Sequence, residues 1–193
     1  MKTESKKTLA LSGLFILFGA FSRLFTFLPN FSAVEALALF GGAYIAMRYV
    51  AIFIPLIALF VSDLIINNTI ARPFFPDHEG IVIFSEYMIW NTAAIIAIVL
   101  FGRYFLKKIN LLRGIMGLLG ATSIFWIITN IGAWLSSGLF PLTFGGMMEN
   151  FAFALPFLKN SLLGNLVFGT ILFGSYELLT RTYPSLVTVK QEI

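Results

Sequence analysis

Apolar residues along this chain come in long blocks separated by short polar breaks, and the block lengths predict its elements. A bilayer core of about 30 Å takes about 20 helical residues to cross. The first block, residues 8–28, has that length and closes at Pro29 and Asn30. Two shorter blocks follow, 32–47 and 50–66, with a tight turn expected around Arg48 and Tyr49; both are read as short spans. The break at 67–80 carries Pro73, Pro76, Asp77, His78 and Glu79 and reads as an aqueous loop. A fourth span is expected at 81–101, a fifth at 114–135 and a sixth at 152–179. Between them lie a basic loop at 102–113 and a Gly- and Pro-bearing loop at 136–151. None of the blocks shows the strict alternation of a membrane barrel, so each must satisfy its backbone as a helix. The pattern predicts an all-α integral membrane protein, one domain over 1–193, built as a compact bundle of six transmembrane helices.

Composition agrees. Of the 193 residues, 59% are hydrophobic and 11% charged, whereas soluble domains carry roughly 25% charged residues. Too little polar chain remains for a separate soluble domain. The 22 phenylalanines suit lipid-facing or interhelical positions. Lys2, Lys6 and Lys7 before the first block imitate a secretory signal, but that block is as long as a full span, and it is read as an uncleaved first helix. Cysteine is absent, which removes disulfides, thiolate metal sites and a cysteine nucleophile.

The net charge of +4 has a membrane explanation. Lys2, Lys6, Lys7, Arg48, Arg103, Lys107, Lys108, Arg113, Arg181 and Lys190 fall on one side of the threaded chain, leaving Arg23, Arg72 and Lys159 of the 13 basic residues on the other. Basic residues in short loops face the cytoplasm, so both termini are expected there and no nucleic-acid partner is implied. Small residues at spacing four, Ala38, Gly42 and Ala46, then Gly117 and Ala121, mark places where helices approach closely.

The same threading brings Arg23, Glu35, Asp63, Glu86 and Lys159 to the non-cytoplasmic ends of the spans. Ionisable groups in a span cost about 2.5–3.5 kcal/mol at mid-membrane and tend to mark a ligand site or pathway. Asn30, Asn67, Asn91, Thr129, Asn130 and Asn160 share that level. Glu86 and Trp90 stand four residues apart, as do Trp126, Asn130 and Trp134, so each set shares a helical face. An apolar, aromatic pocket with a few fixed polar groups is the usual build of a small-ligand site. The candidate substrate-binding residues are Arg23, Asn30, Glu35, Asp63, Glu86, Trp90, Asn130, Trp134 and Asn160, with Trp90 and Trp134 as stacking walls.

Blander roles fit the same residues. Glu35 suits a capping box with Ser32, Arg23 a snorkelling interfacial position and Asp63 a solvated helix end. Glu86 suits a helix N-terminus, Lys159 an interfacial anchor, and Trp90 and Trp134 an aromatic belt. His78 has no second His or Cys nearby, so no metal site is expected. Neither a phosphate-binding loop, nor H-E-x-x-H, nor G-x-S-x-G occurs, and no catalytic residue or cofactor is expected.

The segments Arg23-Leu24, Pro29-Asn30-Phe31, residues 36–44, Pro55-Leu56 and Ser62-Asp63-Leu64 carry a resemblance, with Thr129-Asn130, Trp134, Pro141, Thr143, Pro156-Phe157, Asn160 and Gly164. Over about residues 10–179 the chain resembles an uncharacterised family of bacterial six-helix membrane proteins. That family is similar to the substrate-binding S components of energy-coupling factor (ECF) vitamin transporters. The resemblance implies a multi-pass protein of the bacterial cytoplasmic membrane that binds a vitamin or precursor near the outer face. It also implies a partnership with a separate membrane scaffold and ATPase module. The chain departs from S components at the docking surface: Ala10, Ser12, Gly13, Gly19 and Ala20 are small but lack the Ala-x-x-x-Ala pattern of the first helix.

The expected function is uptake of a small polar or amphipathic molecule through an outward-facing pocket, gated by loop 67–80 or 136–151. The alternatives are an accessory protein of an envelope complex, or an ion-coupled carrier titrating at Glu35, Asp63 and Glu86.

Overall fold

The computed structural model describes residues 14–15, 17–24, 28–45 and 47–182, and the regular structure among them is helical throughout. Helix α1 covers residues 17–24, with residues 14–15 also helical. It is followed by α2 (Val34–Tyr44), α3 (Arg48–Asn68), a 3-10 turn at Arg72–Phe74, α4 (Tyr87–Phe105), α5 (Leu111–Ser136), α6 (Phe144–Phe153) and α7 (Leu155–Thr182).

Helix α2 is apolar on every side except Glu35, and a helix of that kind belongs in an interior. Val34 through Ala43 are all buried, against α3, α4, α5 and α7. Its 11 residues rise about 16 Å, roughly half a bilayer core. The expected span at 32–47 is therefore corrected: α2 is an internal half-length helix. Among the described residues four helices are long and apolar enough to cross a membrane: α3, α4, α5 and α7. Of the first expected span, residues 8–13, 16 and 25–27 lie outside the described residues.

Glycines let this central helix sit so deep. A Cβ on Gly42 would collide with the backbone carbonyl of Val99 on α4, and one on Gly102 of α4 would lie 2.7 Å from the Leu39 carbonyl oxygen. On another side, a Cβ at Gly41 would stand 3.0 Å from the Ala51 carbonyl oxygen on α3. The spacing of Ala38 and Gly42 thus reflects packing inside the bundle; Ala46 lies outside the described residues. Gly117 likewise faces Leu106 and Leu39, and Ala121 is fully buried. At its C-terminal end α2 is tied to α7, where Tyr44 donates to Glu177 at 2.8 Å among the rings of Phe40, Phe173 and Tyr176.

Other boundaries move as well. Helix α3 starts at Arg48, so the turn expected at Arg48 and Tyr49 sits earlier, at extended Ile45 and Met47. With 21 residues, α3 is long enough to cross a membrane despite Pro55. Helix α4 starts at Tyr87 rather than Ile81: residues 81–85 have no regular structure, and Asn68 pins Val82 among them. That side chain accepts from the Val82 amide at 2.8 Å and donates to the Val82 carbonyl at 2.9 Å. The expected loop 136–151 contains α6, capped where Thr143 Oγ1 accepts the Gly146 amide at 3.2 Å. Side-chain contacts bring the end of α1, the start of α2, the end of α3 and the start of α7 together on one face.

Candidate functional site

Two adjacent polar residues fix α1 to that face. Ser22 Oγ donates to the Gly19 carbonyl at 2.7 Å and accepts the Ala33 amide at 2.9 Å, satisfying a backbone donor where α2 begins. Arg23 reaches the other way. Its Nη1 donates to Asp63 at 2.5 Å, to Ser62 Oγ at 2.7 Å and to the Leu59 carbonyl at 3.3 Å, all on α3. Asp63 is 0% exposed and the Arg23 side chain 19% exposed, so the pair is an internal ion pair rather than a snorkelling arginine and a solvated acid.

Asp63 Oδ2 has no hydrogen-bond partner. One turn along, buried Asn67 accepts from Tyr87 Oη and faces Met88, so the polar stripe Ser62, Asp63 and Asn67 links α3 to both α1 and α4.

Glu35 belongs to a second polar group. It forms no capping box with Ser32: the N-cap of α2 is Ala33, without a side-chain cap. The Glu35 side chain instead turns toward α7, where Ser161 Oγ donates to Oε1 at 2.8 Å. Thr122 of α5 stands beside the same carboxyl. Asn165, one turn after Ser161, holds Thr122 in place by donating to its Oγ1 at 2.8 Å and to the Leu118 carbonyl at 2.8 Å. Glu35 is 3% exposed, and its Oε2 has no hydrogen-bond partner.

Between the two groups lies a cavity of about 450 Å³. Ligand pockets run to about 300–1,000 Å³. Arg23, Asn30, Ser32 and Glu35 give its wall polarity, while Leu28, Phe31, Leu59, Ile66, Phe74 and Phe125 contribute apolar surface. Asn30 turns the chain into this wall at φ 63°, a left-handed conformation that asparagine tolerates better than most residues. Of the nine expected site residues, Arg23, Asn30 and Glu35 line the cavity and Asp63 binds Arg23.

The other five lie elsewhere. Glu86 is exposed ahead of α4, and Asn160 is half-buried near the start of α7. Trp90 packs against Gly132 of α5, where a Cβ would collide with its indole. The stripe Trp126, Asn130 and Trp134 docks α6 and its flanking loops. Trp134 Nε1 donates to the Pro141 carbonyl at 2.9 Å, and Trp126 Nε1 to the Ala154 carbonyl at 3.4 Å. The Asn130 carbonyl accepts from Asn150 Nδ2 at 2.9 Å, and Trp126 meets Phe151 edge-on. Lys159 is exposed. His78 lies near the Ile81 carbonyl, and the described residues contain no group of three or more His, Asp or Glu able to hold a metal.

Sequence reasoning missed Ser22, Ser62, Thr122, Ser161 and Asn165. Ser161 and Asn165 carried one usable signal, their spacing of four within the sixth apolar block.

The chain belongs to a family of unknown function (DUF6580), whose model matches residues 3–186. No curated protein and no solved structure matches it.

Proposed function

We propose that this protein is a substrate-binding membrane protein of the S-component kind, which takes up a small amphipathic molecule through the cavity beside Glu35. The observation that carries this reading is a preformed space of about 450 Å³ whose apolar wall is broken by Arg23, Asn30 and Glu35. The Arg23–Asp63 pair alone would serve equally as an internal staple. Glu35 adds a buried polar residue to the wall of a cavity of ligand size.

The charge distribution sets the orientation. Arg48, Arg103, Lys107, Lys108, Arg113 and Arg181 cluster at the far ends of the helices, away from the cavity. By the positive-inside rule those ends and both termini are cytoplasmic, and the cavity opens outward from a bacterial cytoplasmic membrane. The four long helices around the half-length α2, with α1 beside them, fit the small helical plan of S components. Phe74 lies on the cavity wall and in the 69–86 connection, which makes that connection the gate. Transport then requires a separate scaffold and ATPase module.

The test is ligand-dependent thermal stabilisation across a panel of small metabolites. A binding compound is expected to raise the melting temperature of the unmodified protein and of Glu86→Gln. It should have no effect on Ile66→Trp, in which the indole fills the cavity. At a hundredfold excess over Kd, binding contributes about 2.7 kcal/mol of stability. Stabilisers that act equally on Ile66→Trp, or a panel without any stabiliser, would count against the reading.

A further inference from the structure

We propose that the cavity selects an uncharged amphipathic molecule whose polar end is a carbonyl-type hydrogen-bond acceptor, received by the Arg23 guanidinium. Asp63 sets that preference by balancing the charge of Arg23 from behind. The proposal rests on the cavity being a ligand site and adds the chemical class of the ligand.

Arg23 is engaged on one side only. Its Nη1 donates to Asp63, to Ser62 Oγ and to the Leu59 carbonyl, all on α3. Its Nε and Nη2 have no hydrogen-bond partner among the described residues. Neither is sealed in protein: the buried polar side-chain atoms without a partner there are Glu35 Oε2, Asp63 Oδ2, Arg72 Nη1, Ser85 Oγ and Asn165 Oδ1. The Arg23 side chain is 19% exposed and lines the cavity. The Nε–Nη2 edge of a guanidinium carries N–H donors in a rigid fork, shaped for planar oxygen acceptors. Asn30 and Ser32 share the wall, and their side chains too have no partner among the described residues.

What this edge lacks is acceptors and not charge. Asp63, 0% exposed and 2.5 Å from Nη1, already balances the guanidinium inside the protein. A ligand carboxylate would set two anions against one guanidinium, beside a wall that is mostly Leu28, Phe31, Leu59, Ile66, Phe74 and Phe125. It would also lose its own hydration, which is costly for an ion without a full counter-charge. An ammonium would bring donors to the donors of Arg23. Glu35 gives it no counter-ion, because Ser161 holds Oε1 and Oε2 is sealed in protein. A carbonyl accepts from the guanidinium without adding charge, while the apolar wall takes the organic body. Asp63 does not line the cavity and acts through Arg23, as a positioning residue.

The experiment titrates phenylbutyramide, phenylbutyrate and phenylbutylamine, three probes with one body and different heads, into the full chain in lipid nanodiscs, with empty nanodiscs as the blank. In the unmodified protein the amide is expected to bind at least about tenfold more tightly than the acid or the amine. Asp63→Asn keeps Arg23 but leaves its charge unbalanced, so the order of amide and acid should reverse. Arg23→Met made together with Asp63→Asn removes the donors without stranding a charge, and amide binding should fall about tenfold, the range of one hydrogen bond to a charged group. Acid or amine binding that equals the amide's and is abolished by Ile66→Trp would overturn the acceptor class and leave the cavity standing as a site. An order unchanged by Asp63→Asn, or amide binding undiminished in the double variant, would overturn the roles given to Asp63 and Arg23. Absence of binding by all three probes, or binding unaffected by Ile66→Trp, would overturn the cavity reading itself. If the Asp63 and Arg23 variants fail to fold, the head-group ranking in the unmodified protein decides the proposal alone.

Discussion

Replacing Arg23 by alanine is expected to destabilise the protein by about 3–5 kcal/mol, the range for removing one partner of a buried ion pair. The reason lies with Asp63 more than with Arg23. Asp63 is fully buried, its Oδ2 has no partner, and its Oδ1 is held by the guanidinium. Removing Arg23 strands the carboxylate between α1, α3 and α4. The same substitution in an Asp63→Asn background should be much milder, because the amide leaves no charge to strand. Unfolding measured in one detergent for the two single variants and the double variant closes the cycle. A strong positive coupling is expected. Equal effects of Arg23→Ala in both backgrounds would show that Arg23 acts by packing and not by pairing.

Gly42→Val is the second large effect, at the upper end of the roughly 1–3 kcal/mol that overpacking commonly costs, or beyond it. A Cβ at this position meets the Val99 carbonyl, and backbone cannot rotate away as a side chain can. Helices α2 and α4 must separate, carrying Glu35 away from Ser161. Gly120→Ala is the informative comparison: its new Cβ would stand 2.7 Å from the Phe101 ring, which can move. Gly114→Ala, with nothing within 4 Å of the added carbon, should be neutral or mildly stabilising. Thermal melting of the three variants should therefore rank Gly42→Val lowest and Gly114→Ala at or above the unmodified protein. Gly42→Val melting with Gly114→Ala would refute the close approach of α2 and α4.

The helical class and three of the four long helices, α4, α5 and α7, were legible in the sequence, because uninterrupted apolar blocks report length directly; α3 was read short because its polar first and last residues were assigned to the flanking turns. The special position of α2 was not legible. Hydropathy cannot distinguish a helix wrapped by protein from one wrapped by lipid, since both are apolar all round; only its shortness hinted at the difference. Helix α6 was hidden for the opposite reason, lying in a stretch whose Pro141 and Gly138, Gly145 and Gly146 read as loop.

At the site, Arg23, Asn30, Glu35 and Asp63 were found by charge and level, and the fold does bring them together. Glu86, Trp90, Asn130, Trp134 and Asn160 share the level but not the cavity. Depth in a membrane can be read from a sequence, whereas rotation about a helix axis depends on partners. The Trp126, Asn130 and Trp134 stripe shows this well: spacing placed the three on one face, and that face docks α6. The polar residues that orient Glu35 were overlooked because Ser and Thr in apolar helices commonly bond their own backbone, as Ser123 and Thr170 do.

The central claim is that the cavity beside Glu35 holds a small molecule, and the most direct measurement is mass spectrometry of what the gently purified protein carries. The account predicts a small amphipathic compound, retained by the unmodified protein and missing from Ile66→Trp. Identical extracts from the two proteins, with no compound enriched in either, would contradict it.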